Sequence, residues 1–423
     1  MRGVLAGPIG LWVAVVLVHA WLGFLALTAP GWPLGDVQFV YSFWVEQALE
    51  TGRIVGIDTA WVYPPLALVP IFLPSLAGMD SYPAAWLTMI AVLNTVAIGL
   101  LTGWGMRRAR LSIAWWWLGF LLLLGPIAVG RLDAVTAAMG VMAAATILTR
   151  PGVAGVILAA GAWIKIWPAG ILAVAVVVLR SRLTLLAAGV TTSLVVLAIG
   201  VVAGGSLSLL SFITEQTGRG LQVEAVIATP WVWATMLGVG GVEIGYSTEI
   251  LTFQVSGPGA DVAAALTTPL LAIASAAVVV LAWVAVRRGA SPERILPPAA
   301  LAITVALIVF NKVGSPQFSA WLAVPIILAL VELGRAGWHT WRTPIVMVSV
   351  IAALTQAIYP FAYDALLAAE PFAVMVLTAR NGLSIALFVW AIAALVREVA
   401  EARQHKSAQP SASTSTLEHR SSP

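Results

Sequence analysis

One carboxylate and five cations, scattered along 423 residues, are the side chains whose types could do chemistry together. Asp36 follows the first apolar segment in GDVQFVYSFW, Arg131 closes a later one in GRLDA, and Lys165 interrupts another in AWIKIWP. Arg219 stands in GRGLQVEA, Lys312 in NKVGSPQF and Arg380 in ARNGL. Cations suit a phosphate, and a carboxylate suits a hydroxyl proton. In one pocket they would fit transfer of a group from a phosphate leaving group to an alcohol. Asp36 would accept the hydroxyl proton, and the Arg and Lys residues would stabilise the departing charge.

Most of these residues also have a plainer use. Asp36 is placed to cap a helix over residues 37–52. Arg131 can pair with Asp133, and Lys312 or Arg380 can snorkel to the headgroups. Lys165 is harder to explain that way. It is flanked by Trp163, Ile164, Ile166 and Trp167 inside a long apolar stretch, where a charge costs about 2.5–3.5 kcal/mol on the insertion scale. Such a lysine belongs where two half-length helices meet. His19, within the first apolar segment, reads as a packing residue. No P-loop, dinucleotide fingerprint, HExxH or GxSxG motif is present, so the chemical signal is the constellation rather than any member.

The elements that must position these residues follow from composition. The chain is 61% hydrophobic and 9% charged, against about 25% charged in a soluble domain, which excludes a soluble protein. With no cysteine there is no disulfide or thiolate, and the four histidines are too scattered for a metal site. The net charge of +4 comes from basic clusters lying between apolar segments; these mark topology, and no nucleic acid is expected. The first apolar run, Ile9 to Ala29, is longer than the roughly 7–15 residues of a signal core and reads as an uncleaved span.

Letting basic clusters mark the cytoplasm gives 12 crossings with both termini inside. The crossings include Ala134 to Thr149 and a broken pair on either side of Lys165. A proline-rich segment, Pro64 to Gly78, is re-entrant or interfacial on the outer side. A long external stretch from Gly204 to Asp261 holds a short apolar piece (Val226 to Gly241) and a strand-like piece around Thr248 to Val255. Only six Lys and Arg then lie outside (Arg53, Arg131, Lys165, Arg219, Lys312, Arg380), with 13 of the 18 acids. The fold expected is an all-α polytopic membrane bundle in one domain, residues 1–400, followed by a disordered cytoplasmic tail, 401–423.

On these residues the chain resembles the GT-C class of multispanning glycosyltransferases, most closely the glycosyltransferase family 87 group of actinobacterial polyprenyl-phosphate-mannose-dependent α-mannosyltransferases. The resemblance runs from the first span to Arg380 through GDVQF, WVYPPLALVP (61–70), AWIKIWP, RGLQVEA followed by TPWVW, KVGSPQF, IYPF and ARN. It implies inverting transfer from a β-linked polyprenyl phosphate sugar, with Asp36 as base. Lys165, Arg131, Arg219, Lys312 and Arg380 would surround the donor phosphate, and Tyr63, Gln222, Glu224 and Gln317 would contact sugar or acceptor. The acceptor would be a glycolipid or polysaccharide at the outer face of the plasma membrane, which also requires a lipid-carried donor because nucleotide sugars stay in the cytosol. A single carboxylate suits one-step inversion. No metal or other cofactor is expected, although Glu215, Glu224 or Asp133 could hold a divalent cation. The rival readings are a lipid-linked sugar flippase, for which broken helices with a buried charge are also usual, and an inactive cell-envelope scaffold.

Overall fold

A computed structural model of the chain describes residues 7–215, 218–248 and 250–408, with residues 402–408 described by backbone alone. Arg2, on which the expectation of a cytoplasmic N-terminus rests, and residues 409–423 of the expected tail lie outside the described residues. The helices are α1 (Pro8–Thr28), α2 (Ser42–Thr51), α3 (Tyr82–Thr102), α4 (Leu111–Leu124), α5 (Leu132–Thr146), α6 (Pro151–Ile164), α7 (Pro168–Val178) and α8 (Arg182–Val202). They continue with α9 (Thr229–Met236), α10 (Ala260–Arg287), α11 (Pro292–Val309), α12 (Ala323–Thr340), α13 (Arg342–Gln356) and α14 (Pro371–Ala408). Proline opens α1, α6, α7, α11 and α14, where its missing N–H costs nothing and its fixed φ already suits a helix.

Among the described residues, nine helices are long and apolar enough to cross a membrane, making this an all-α polytopic membrane protein. The other three expected crossings are shorter: α5 has 15 residues, α6 has 14 and α7 has 11. At 1.5 Å per residue none of the three alone reaches the ~30 Å of a hydrocarbon core. The reasons differ. In α5, 13 of 15 residues are buried, so the helix is enclosed by protein and is not constrained by lipid thickness. Helices α6 and α7 are halves of one interrupted path, broken at Lys165 as the charge demands.

Helix α5 packs on α3, α6 and α12, with Gly140 letting Val324 and Trp167 press against its backbone. Helices α8 and α10 lie at the periphery, only 22% and 17% buried over their most apolar windows; their Leu, Ile and Val side chains face outward. The last helix begins at Pro371, ten residues before Asn381, so Arg380 lies inside it, and its backbone runs to Ala408, into the segment expected as a tail.

The connections carry more structure than the apolar pattern alone suggests. Residues Pro65–Ala77 form the short apolar helical turns expected of the proline-rich segment. The strand-like piece is a hairpin, β1 (Glu243–Ser247) against β2 (Thr252–Ser256), with Glu243 opposite Ser256. Residues 221–223 add to its free edge: Val223 N–H donates to the Phe253 carbonyl and Val255 N–H to that of Leu221. The hairpin therefore fixes the RGLQVEA segment. Beneath it, Leu221, Val223, Val232, Val255 and Leu377 form a second small core.

Candidate active site

Asp36 begins a wide helical turn, Asp36–Tyr41, that runs into α2. It is not the cap expected of it. The preceding Gly35 is already helical, the Gln38 amide donates to the Leu34 carbonyl, and no side chain makes a capping hydrogen bond at this helix start. One carboxylate oxygen instead lies 3.0 Å from Nε of Arg131; the Asp36 side chain is 34% exposed and that of Arg131 11%. The other oxygen takes part in no hydrogen bond among the described residues.

Arg131 is held from three further directions. It donates to the carbonyls of Pro33 (2.9 Å) and Gly130 (3.0 Å), and more weakly to the Tyr359 hydroxyl at 3.4 Å. A Cβ at position 130 would overlap the Pro33 carbonyl, so glycine is what allows this approach. Tyr359 shares its proton between the carbonyls of Gly31 (2.9 Å) and Trp32 (3.1 Å), tying the end of α13 to the loop that carries Asp36. Burial lowers the Arg131 pKa, but Asp36 and the phenols of Tyr359 and Tyr41 outweigh it and the net shift is upward. Arg131 is thus a fixed guanidinium beside the Asp36 carboxylate.

Arg131 and Asp133 do not pair with each other, because residues two apart at a helix start point different ways. Asp133 instead reaches Lys165 at 3.0 Å with one oxygen and accepts the Trp321 indole N–H at 2.7 Å with the other. Lys165 occupies the α6–α7 break in extended conformation, its ammonium 5.0 Å from the centre of the Tyr63 ring and 5.4 Å from that of Phe318. The two ion pairs share one field. Asp36 acts electrostatically on Lys165, and the Tyr41 phenol, raised well above its ordinary pKa by burial, is raised further by Tyr63, Asp36 and Asp133.

A third pair joins the last helix to the RGLQVEA segment. Arg380 lies in the third turn of α14 and donates to the Glu224 carboxylate at 2.5 Å and to the Glu224 carbonyl at 2.6 Å. Burial pushes the Glu224 carboxyl up and Arg380 pulls it back. Gln222 accepts from the Gly314 N–H at 3.1 Å, and its own N–H donates to the Lys312 carbonyl at 3.0 Å. A Cβ on Gly314 would overlap the Ala225 backbone, so the 222–225 and 312–315 segments cross in direct contact. Gly314→Ala should therefore cost about 1–3 kcal/mol through forced overpacking, read as a lower melting temperature in detergent; an unchanged melt would mean the crossing is loose. Beside this crossing Lys312 is buried, and burial together with the charge of Arg219 lowers its pKa. Gln317 is buried in the turn that also carries Phe318 and Trp321.

The sequence reading missed Tyr41, Tyr359 and Trp321 as members of this network. Tyr359 lies in IYPF and Trp321 shortly after KVGSPQF, so polar-tipped aromatics beside the singled-out motifs were the available signal. No group of three or more metal-ligating side chains occurs among the described residues. The carboxylates of Asp133 and Glu224 are already engaged by cations.

The family model for glycosyltransferase family 87 matches residues 61–310. That span includes Tyr63, Arg131, Lys165, Arg219, Gln222 and Glu224 but not Asp36, Lys312, Gln317 or Arg380. No curated protein and no solved structure matches the chain.

Proposed function

Because this chain belongs to glycosyltransferase family 87, we propose that it moves a hexosyl group, mannosyl by family resemblance, from a polyprenyl phosphate to a glycolipid or polysaccharide acceptor with inversion at the sugar carbon. Asp36 carries the reading: Arg131 holds one of its oxygens and leaves the other open, beside the field of Lys165. The acceptor hydroxyl gives its proton to Asp36 as its oxygen bonds the anomeric carbon, and the bond to the phosphate oxygen breaks on the opposite face. With Asp133 and Glu224 bound to Lys165 and Arg380, neither is free to act as a second nucleophilic carboxylate. That favours one displacement over two.

The cations divide by their neighbours. Arg131, Lys165 and Arg380 each answer to a carboxylate, and Lys312 stands in the field of Arg219, where burial and that like charge together lower its pKa. A donor phosphate received between Arg219 and Lys312 relieves that repulsion, with Lys165 nearer the base. Arg380 and Glu224 become supports, Gln222 positions the Lys312 segment, and Tyr63 and Gln317 line the sugar's approach. The excess of basic residues in the loops opposite this site supports an outward-facing pocket in the plasma membrane with cytoplasmic termini. An outward site needs its sugar brought across on a lipid.

Purified protein given labelled polyprenyl phosphate hexoses and envelope glycolipids should yield a glycosylated lipid. A preparation that uses only nucleotide sugars would remove the lipid donor from the reading. Lys312 supplies a second test. Because its pKa is lowered, its charge is lost at a lower pH than an ordinary lysine's, so polyprenyl phosphate affinity should fall early as pH rises. Lys312→Arg should keep the cation and abolish that fall. Parallel pH curves for the two proteins would take Lys312 away from the phosphate.

A further inference from the structure

On the transferase reading, which this inference presumes, we infer that the groove between residues 58–60 and 207–215 receives the acceptor as an uncharged, polyhydroxylated glycan. The groove is open and of about 490 Å³, within the range of ligand-binding clefts. Its walls are stitched together: the Trp61 N–H donates to the Ser211 hydroxyl at 2.8 Å, Ser211 bonds the Ser208 carbonyl at 2.7 Å, and the Ser208 hydroxyl bonds the Ile57 carbonyl. The groove is therefore built by tertiary contacts and is not a gap between loose loops.

Its chemistry selects the ligand class. Asp58 and Glu215 line it together with serine and threonine hydroxyls, Leu207 and Leu210 provide apolar surface, and no basic residue lines it among the described residues. Carboxylates and hydroxyls accept and exchange hydrogen bonds with sugar hydroxyls, and the leucines suit the C–H faces of sugar rings. A phosphorylated or otherwise anionic acceptor would meet two negative charges and no counter-charge.

Its position connects it to the active site. Ala60 lines the groove, and the next residue, Trp61, packs edge-on against Trp44 (5.2 Å) and Tyr63 (5.4 Å). Tyr63 in turn lies under Lys165 at 5.0 Å. Two rings, Trp61 and Tyr63, thus link the groove wall to Lys165, which places a glycan held in the groove next to the Lys165 side of the active site.

The test is saturation-transfer NMR on the full chain in lipid nanodiscs, with a neutral hexose trisaccharide and its sulfated counterpart as probes. Saturation should pass to the neutral sugar and not to the sulfated one. Ala60→Trp should weaken that binding by about tenfold by filling the groove, and Glu215→Lys should reduce or reverse the preference for the neutral probe. Absence of a signal from the neutral sugar, equal binding by Ala60→Trp and the parent, or preference for the sulfated probe would overturn the inference. If Ala60→Trp does not fold, the solvent-facing Glu215→Lys decides alone: an unchanged preference overturns the inference. Binding is read without turnover, so a chain that binds the glycan yet transfers no sugar overturns the transferase reading only. One that glycosylates a neutral acceptor while Ala60→Trp binds it normally overturns the groove only.

Discussion

Asp36→Asn should lower sugar transfer by about 10²- to 10⁴-fold, the range contributed by a positioned general base, while polyprenyl phosphate still binds and the protein still folds. The substitution is nearly isosteric. Its amide oxygen can still accept from Arg131 Nε, and Arg131 keeps its bonds to Pro33, Gly130 and Tyr359. What disappears is the charge that takes the proton. The measurement is single-turnover transfer from labelled polyprenyl phosphate hexose, with donor binding and melting temperature recorded on the same preparation. Loss of transfer with donor binding retained identifies a defect in the chemical step; parental turnover by the variant would assign the proton to another group.

Lys165→Met should be the most damaging substitution for the fold. It leaves the Asp133 carboxylate, 1% exposed, with the Trp321 indole as its remaining partner. Removing one member of a buried ion pair costs about 3–5 kcal/mol because the other charge is left uncompensated. Adding Asp133→Asn removes that charge and should recover most of the stability, a coupling that a double-mutant cycle reads directly. The double variant should nevertheless transfer no sugar, because the cation whose field reaches Asp36 from the helix break is gone. A double variant with full activity would reduce Lys165 to a structural role, and a single variant as stable as the parent would contradict the buried pair.

The helical path was legible because membrane spans write themselves in continuous apolar runs, and the break at Lys165 because a lone charge in such a run has few places to go. Pairing was not legible. Arg131 has an acid two residues away, so Asp133 looked like its partner, but helix geometry turns them apart and each finds a mate from a remote segment. Asp36 fits the pattern of a cap, and only the structure shows that Gly35 before it is already helical and that its carboxylate turns to Arg131 instead. Arg380, which from the sequence could snorkel to the headgroups, lies well inside the helix because it is buried against Glu224. Tyr359 and Trp321 carry no charge to draw attention, and their roles depend on carbonyl and carboxylate groups supplied by distant parts of the chain.

The contact at Gly314 has a consequence for how this region can be altered. Where two backbones touch with no side chain between them, neither can be exchanged for a homologous stretch of different length without colliding with the other. Residues 219–225 and 312–318 should therefore behave as one transplantable cassette: hybrids receiving a single member should misassemble, and those receiving both from the same donor should fold.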